Sequence, residues 1–198
     1  MGIRIKNLTK SFRDDVKIKN LNYDFPENGV VAITGDSGVG KTTLARMICG
    51  LDNDYSGEIS GKGPGNISIA FQEHRLFPNL SALDNVIYAN YDRKTEENVA
   101  LAKGLLSEMG FDDEEMLLKP SVLSGGMKQR VSLARAFLSS AETLILDEAT
   151  KELDYALKEK ILELIRAESE KRLVILITHD ISEAEKLNAK ILHLSSPE

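Results

Sequence analysis

Two hydrophobic rhythms alternate along this chain. At its start, Ile3 and Ile5 flank Arg4 in IRIKN, and Leu21, Tyr23 and Phe25 alternate with Asn22 and Asp24 in LNYDF. This period-two spacing predicts an antiparallel sheet with one face on the core and one in water. GVVAIT, TLILD and RLVILIT are instead short, nearly continuous aliphatic runs, and ISIAF is a weaker example. Runs of that kind predict central strands covered on both faces. Between them the spacing becomes helical. Val99, Ala102, Leu106 and Met109 predict a helix over 96–109; Met127, Val131, Ala134 and Leu138 form a second stripe, and Leu157, Ile161, Leu164 and Ile165 a third. These stripes are core faces. The element order predicts an α/β protein: a parallel central sheet, an N-terminal antiparallel β-subdomain, and an inserted, mainly helical lobe from about 75 to 138. SGKGPGN at 60–66 reads as a flexible turn between strands.

Composition narrows the classes open to such a fold. A chain of 198 residues, 42% hydrophobic and 28% charged, is long enough for one substantial folded domain and too apolar for disorder. The net charge of -6 and pI near 5.2 come without any basic tract, which argues against nucleic acid as a main ligand. No apolar run approaches the roughly 18 residues needed to span a bilayer. The N-terminus lacks the apolar core of a signal peptide, and MGIRIK has no Ser or Thr at its sixth position for myristoylation. The single cysteine, Cys49, cannot form an internal disulfide, which suits the cytoplasm; in ARMICGL it reads as a small buried apolar residue.

The chemistry concentrates after the first aliphatic run. VVAITGDSGVGKTTLARMI matches Gly-x-x-x-x-Gly-Lys-Thr with a strand before it and a helix after it. Gly35, Gly38 and Gly40 permit the backbone conformations that turn successive N–H groups toward phosphate oxygens. The whole stretch Gly35, Asp36, Ser37, Gly38, Val39, Gly40, Lys41, Thr42 and Thr43 is thus expected to cradle a nucleotide at a helix start. Lys41 supplies positive charge to the β- and γ-phosphates, and the Thr42 hydroxyl is placed to ligate Mg²⁺. A phosphate loop needs an acidic residue at the end of a neighbouring buried strand, and TLILDE offers Asp147 for the metal's water shell. Glu148, next to it, points to hydrolysis, because a carboxylate there can polarise a water in line with the γ-phosphate. A further helix start, LSGGMKQR at 123–130, forms an anion site from Ser124 and the N–H groups of Gly125 and Gly126, without base, nucleophile or metal ligand.

Together the phosphate loop, LSGGMKQR and LILDE resemble the ATP-binding cassette (ABC) family, in that family's order, and the resemblance runs from about residue 3 to 194. Gln72 in IAFQEHRLFPNLSALDNV resembles the family's Q-loop glutamine, Asp154 in KELD its D-loop aspartate, His179 in ITHD its switch histidine, and Phe12 in LTKSF the aromatic that stacks on adenine. The resemblance implies that Gln72 touches Mg²⁺ or the attacking water and that His179 contacts the γ-phosphate. It also implies that Ser124, Gly125, Gly126 and Asp154 close over ATP held by a second cassette. The implied fold is a P-loop NTPase core of RecA-like type in a single domain over 1–198. Its nucleotide-binding core and β-subdomain occupy about 1–74 and 139–198, and its helical subdomain about 75–138. His74 and His193 gain no role and read as surface or packing residues. No His/Cys cluster has metal-ligand spacing, so the expected metal is the Mg²⁺ that accompanies ATP.

The sequence departs from the family in three places: Ala149 where proline is usual, KELD in place of a small-residue D-loop start, and an ending at ILHLSSPE that predicts no appended regulatory domain. FQEHRLFPNLSALDNV resembles the corresponding stretch of bacterial nitrate-, sulfonate- and taurine-type importers. The implied protein is the ATPase subunit of a membrane transporter, on the inner face of the cell membrane. Its partners would be a second ABC subunit and a separate transmembrane permease, with or without a solute-binding protein. The alternatives are a non-transport ABC ATPase of DNA repair or translation, and a metabolic kinase using the phosphate loop alone. The former usually carries coiled-coil insertions, zinc modules or fused cassettes, all missing here; the latter leaves LSGGMKQR and His179 unexplained.

Overall fold

A computed structural model describes residues 2–12, 15–61, 66–89, 95–151 and 153–196. Strands β1 (Arg4–Phe12), β2 (Asp15–Asp24) and β3 (Gly29–Thr34) are followed by α1 (Lys41–Ile48), β4 (Ser56–Ser60) and β5 (Ile67–Ala70). Then come α2 (Ala82–Ile87), α3 (Glu96–Glu108), a short 3₁₀ turn, α4 (Gly125–Leu138) and β6 (Thr143–Asp147). The chain closes with α5 (Tyr155–Ser169), β7 (Leu173–Ile177), α6 (Ile181–Lys186) and β8 (Lys190–His193). Residues 62–65 of the SGKGPGN turn lie outside the described residues, as does Glu152 of KELD.

The expected antiparallel sheet has the order β2-β1-β4. Its alternation breaks in β2, where the inward side passes from Ile18 to Leu21 across Asn20 with φ 51, and in β1. Ile3 and Ile5 are buried at odd positions, but farther along β1 the buried residues are Leu8 and Lys10. Asn7 sits between them with φ 49, and both pairings of β1 shift register there. One extra residue in a strand reverses which side chains face the core. Asn7 tolerates the left-handed conformation. Opposite it, Gly57 leaves room for the bulge: a Cβ there would collide with the Asn7 carbonyl.

The second sheet is parallel, in the order β5-β6-β7-β3-β8. Its aliphatic runs are continuous because alternate residues enter different cores. Val174 and Leu176 of β7 pack with helices α2 to α5, whereas Leu173, Ile175 and Ile177 pack with α1 and the antiparallel sheet. ISIAF departs from the central position expected of it. β5 is an edge strand, and Ile67, Ser68 and Ile69 are only half-buried, since it is paired on the β6 side alone. β4 and β8 escaped the periodicity: SGEIS buries only Ile59, and KILH is too short to show a pattern.

The helical expectations hold closely. The stripe predicted over 96–109 is α3 with Met109 at its C-terminal cap, and Ala102, Leu106 and Met109 are buried. Val131 and Ala134 of α4 and Leu157, Ile161 and Ile165 of α5 are buried as well. Thr95, Ser124 and Asp154 cap α3, α4 and α5, each accepting a hydrogen bond from the backbone N–H three residues on. Leu106→Ala, which empties a fully buried site where α3 meets α2 and α4, is expected to cost about 2–5 kcal/mol. A lowered urea midpoint with an unchanged slope would register that loss. Cys49 is half-buried rather than buried, because it ends α1 at the rim of the core. Among the described residues no helix is long and apolar enough to cross a membrane.

Candidate nucleotide site

Three neighbouring strands, β3, β7 and β6, deliver their C-terminal ends to one edge of the parallel sheet, where α/β proteins bind ligands. β3 leads into the glycine loop, β6 ends on Asp147, and β7 runs into Thr178 and His179. The loop's backbone is committed to a tight curl: Gly35, Gly38 and Gly40 have φ 139, 78 and 110. Gly35 admits no side chain, since a Cβ would strike the Leu194 carbonyl, whereas Gly38 faces open space. Asp36, Ser37 and Gly38 are exposed and Val39 is buried beneath them. α1 begins at Lys41, so Thr42 and Thr43 lie in its first turn, with Thr42 exposed.

Lys41 is buried at the centre of this arrangement. Its Nζ donates to the carbonyls of Gly35 and Asp36, both at 2.8 Å. Burial lowers its pKa, and the charges of Glu148, Asp147 and Asp36 only partly oppose that. Asp147 is the sharper anomaly. It is 1% exposed, and neither carboxylate oxygen has a hydrogen-bond partner by distance and angle. Burial pushes its carboxyl up, against the pull of the nearby Thr42 hydroxyl, and the Glu148 charge adds to the rise; Lys41 and His179 pull it down. A buried, unsatisfied carboxylate beside a threonine hydroxyl is a hard-oxygen donor set that suits Mg²⁺. Among the described residues no cluster of three or more His, Cys, Asp or Glu competes as a metal site.

Glu148 adopts φ 50, a left-handed conformation uncommon for a residue with a side chain. Its N–H donates to the Ile177 carbonyl at 3.0 Å, which ties β6 to β7 where the ladder ends. His179 Nε2 lies 2.7 Å from Glu148 Oε1, and Lys151 Nζ lies 3.0 Å from Oε2. Burial pushes the Glu148 carboxyl up, but Lys151 and His179 together outweigh it and hold the group below the usual carboxylate range.

The remaining expected residues are distributed as follows. Gln72 is exposed just past β5, and the pairing of Ala70 with Leu146 puts it at the sheet end that carries Asp147. Phe12 ends β1, 48% exposed, with Lys10 Nζ 4.8 Å from its ring centroid. The antiparallel sheet adjoins the phosphate loop, since Gly40 lies against Lys17 and Ile18 of β2. Ser124 and Gly125 are exposed at the start of α4 and Gly126 is half-buried; the Ser124 Oγ accepts from Met127 N at 3.2 Å. Asp154 is exposed and caps α5 through Leu157 N at 3.0 Å. His193 packs against Thr34, its Nδ1 3.2 Å from the hydroxyl. The half-buried His74 has an unpartnered Nδ1.

Some supporting residues gave no sequence signal. Gln129 of α4 donates to the Ala149 carbonyl at 3.1 Å, across 20 residues. Arg135, farther along α4, donates to the carbonyls of Arg75 and His74, about 60 residues away, at 3.0 and 3.3 Å. Both reach backbone carbonyls, which every residue has, so no side-chain pattern marks the partner.

The carboxylate expected on an adjacent strand stands one place further off, since β7 lies between β3 and β6. A glycine loop between strand and helix, a buried carboxylate at the same end of that sheet and a glutamate–histidine pair beyond it define a P-loop NTPase. The ABC transporter family profile matches residues 18–151. This chain belongs to that family, binds ATP and is an ATPase. It is 34% identical to the aliphatic sulfonates import ATP-binding protein of Paracoccus denitrificans, covering 98% of this chain and 79% of that protein. The bicarbonate transport ATP-binding protein of Synechocystis is 39% identical over 90% of this chain and 67% of its own length. Among solved structures, a dimeric ATP-binding cassette in a post-hydrolysis state with ADP and Pi superimposes with a TM-score of 0.86. It is 30% identical and covers 98% of this chain and 94% of that one.

Proposed function

We propose that this chain is the ATP-hydrolysing subunit of an importer for a small solute, working as one of a pair of cassettes beneath a separate permease. The observation that carries the site assignment is the buried, unpartnered Asp147 beside the glycine loop, with the Glu148–His179 pair one residue away. The loop from Gly35 to Thr43 holds the phosphates through its N–H groups, and Lys41 turns from the loop carbonyls to the β- and γ-oxygens. Phe12 stacks on the base. Thr42, Gln72 and Asp147 would hold Mg²⁺, which would supply charge neutralisation on the phosphates. Glu148 orients the attacking water and takes its proton. For this it must release His179 or Lys151, whose hold makes it a weaker base; His179 released from it is free to meet the γ-phosphate.

Ser124, Gly125, Gly126 and Asp154 serve the other cassette's ATP. The solved relatives described as dimeric support that assembly, and the exposed start of α4 is available for it. Residues of about 75–138 would turn as a helical subdomain when the pair closes. Import, rather than a non-transport ABC role, is favoured by the sulfonate- and bicarbonate-transport relatives. The permease places the chain at the inner face of the cell membrane, with or without a solute-binding protein outside. Affinity isolation from gently solubilised membranes should recover a protein with several membrane spans. Recovery of ribosomes or DNA in its place would overturn the transport reading.

A further inference from the structure

Glu183 is a buried carboxylate, 2% exposed, on the short helix α6, outside the residues assigned so far. Its two oxygens face two different loops. Oε1 accepts from the Thr150 hydroxyl at 2.6 Å, and Oε2 accepts from the Thr178 hydroxyl at 2.6 Å. Lys158 of α5 approaches Oε1 at 2.7 Å and also pairs with Asp180 Oδ2 at 2.7 Å. Thr150 lies two residues beyond Glu148, and Thr178 immediately precedes His179. We infer that Glu183 is a positioning residue for ATP hydrolysis, which sets the separation of Glu148 and His179 by holding Thr150 and Thr178 on its two oxygens.

The backbone explains why such a clamp is needed. The β6–β7 ladder ends with Asp147 opposite Ile177, and the Glu148 N–H to Ile177 carbonyl bond is its last rung. Thr178 N turns instead toward the Ile33 carbonyl of β3. Past that point Glu183 joins the two loops through their threonines, beside the Glu148–His179 contact. Glu148 also carries a left-handed φ, which persists only when the structure around it over-determines it. It is held by Ile177 on one side, and beyond it by Gln129 on the Ala149 carbonyl and Glu183 on Thr150. Burying a carboxylate costs more than burying an apolar side chain of the same size. The cost is offset here by two hydroxyls and an ammonium, so the carboxylate serves geometry better than it serves stability.

This inference rests on Glu148 and His179 being the hydrolytic pair. The full chain is compared with Glu183→Gln, Thr150→Val and Thr150→Ser, measuring kcat and KM for ATP with Mg²⁺, the affinity for a fluorescent ADP analogue, and thermal midpoints. Glu183→Gln and Thr150→Val are expected to lower kcat roughly 10- to 100-fold, because small misplacements of reacting groups have effects of that size. KM and ADP affinity should stay within about twofold, since the phosphate loop is untouched. Thr150→Ser, which keeps the hydroxyl, should recover most of the rate. Equal loss in Thr150→Val and Thr150→Ser, or a lowered thermal midpoint with kcat unchanged, would mean that Glu183 only supports the fold. If Glu183→Gln does not fold, the near-isosteric Thr150 pair decides. A Glu148→Gln control that kept its turnover would instead overturn the assignment of the hydrolytic pair itself.

Discussion

Glu148→Gln, given ATP and Mg²⁺, is expected to hydrolyse ATP at least about 100-fold more slowly, because a positioned general base contributes that much or more. It is also expected to accumulate as a dimer. The substitution preserves shape and removes the proton acceptor. In the native chain the Glu148 carboxylate is held between His179 at 2.7 Å and Lys151 at 3.0 Å, below the usual carboxylate range. It is therefore ionised at neutral pH and available to a water once either partner lets go. Glutamine can occupy the same place yet cannot take a proton from water. ATP then stays intact between the phosphate loop of one cassette and the start of α4 of the other, and the closed pair has no route to open. Sedimentation or light scattering would register the doubled mass, with ADP as the monomeric control. A variant that remained monomeric at saturating ATP would refute the two-cassette arrangement, whereas undiminished hydrolysis would refute the role of Glu148.

Lys41→Ala should abolish measurable nucleotide binding. Lys41 is buried, and its ammonium already donates to two loop carbonyls at 2.8 Å, so it is oriented before any phosphate arrives. Removing one partner of a buried, hydrogen-bonded charge pair costs about 2–5 kcal/mol, or roughly a 30-fold to several-thousand-fold loss of affinity. The loss is compounded in the free protein, where the Gly35 and Asp36 carbonyls lose their donor and the loop loses a brace. Fluorescent-nucleotide titration measures the affinity, and a thermal midpoint without nucleotide separates lost binding from lost fold. Unchanged ATP affinity would remove the phosphate-loop assignment.

The site was legible in the sequence wherever its chemistry is contiguous. The phosphate loop needs glycines, a lysine and a threonine at fixed offsets, because one curl of backbone must face one phosphate chain, so Gly35 to Thr43 announce themselves. Asp147 and Glu148 are marked by the aliphatic strand that ends on them. The braces are another matter. Thr150, Thr178 and Glu183 are ordinary residues, and only folding brings each threonine hydroxyl to 2.6 Å from an oxygen of Glu183. The bulge at Asn7 leaves a fainter mark: in RIKNLTKSF the apolar residues pass from odd Ile5 to even Leu8, too short a pattern to fix where the parity changes. The edge position of β5 leaves no mark, because a run of apolar residues does not say how many neighbours its strand will have.

By itself, then, the sequence determined what depends on near neighbours. It set the helical stripes, the doubly covered strands, and a nucleotide loop written in consecutive residues. Only the tertiary structure decided what depends on distant segments meeting. It seated an unsatisfied Asp147 against the loop, paired Glu148 with His179, made β5 an edge strand, and hung the loops after β6 and β7 on Glu183. The physical reason is one of range. Dihedral preferences and amphipathic spacing act over a few residues, whereas hydrogen bonds between loops are set by the order and register of the strands that carry them.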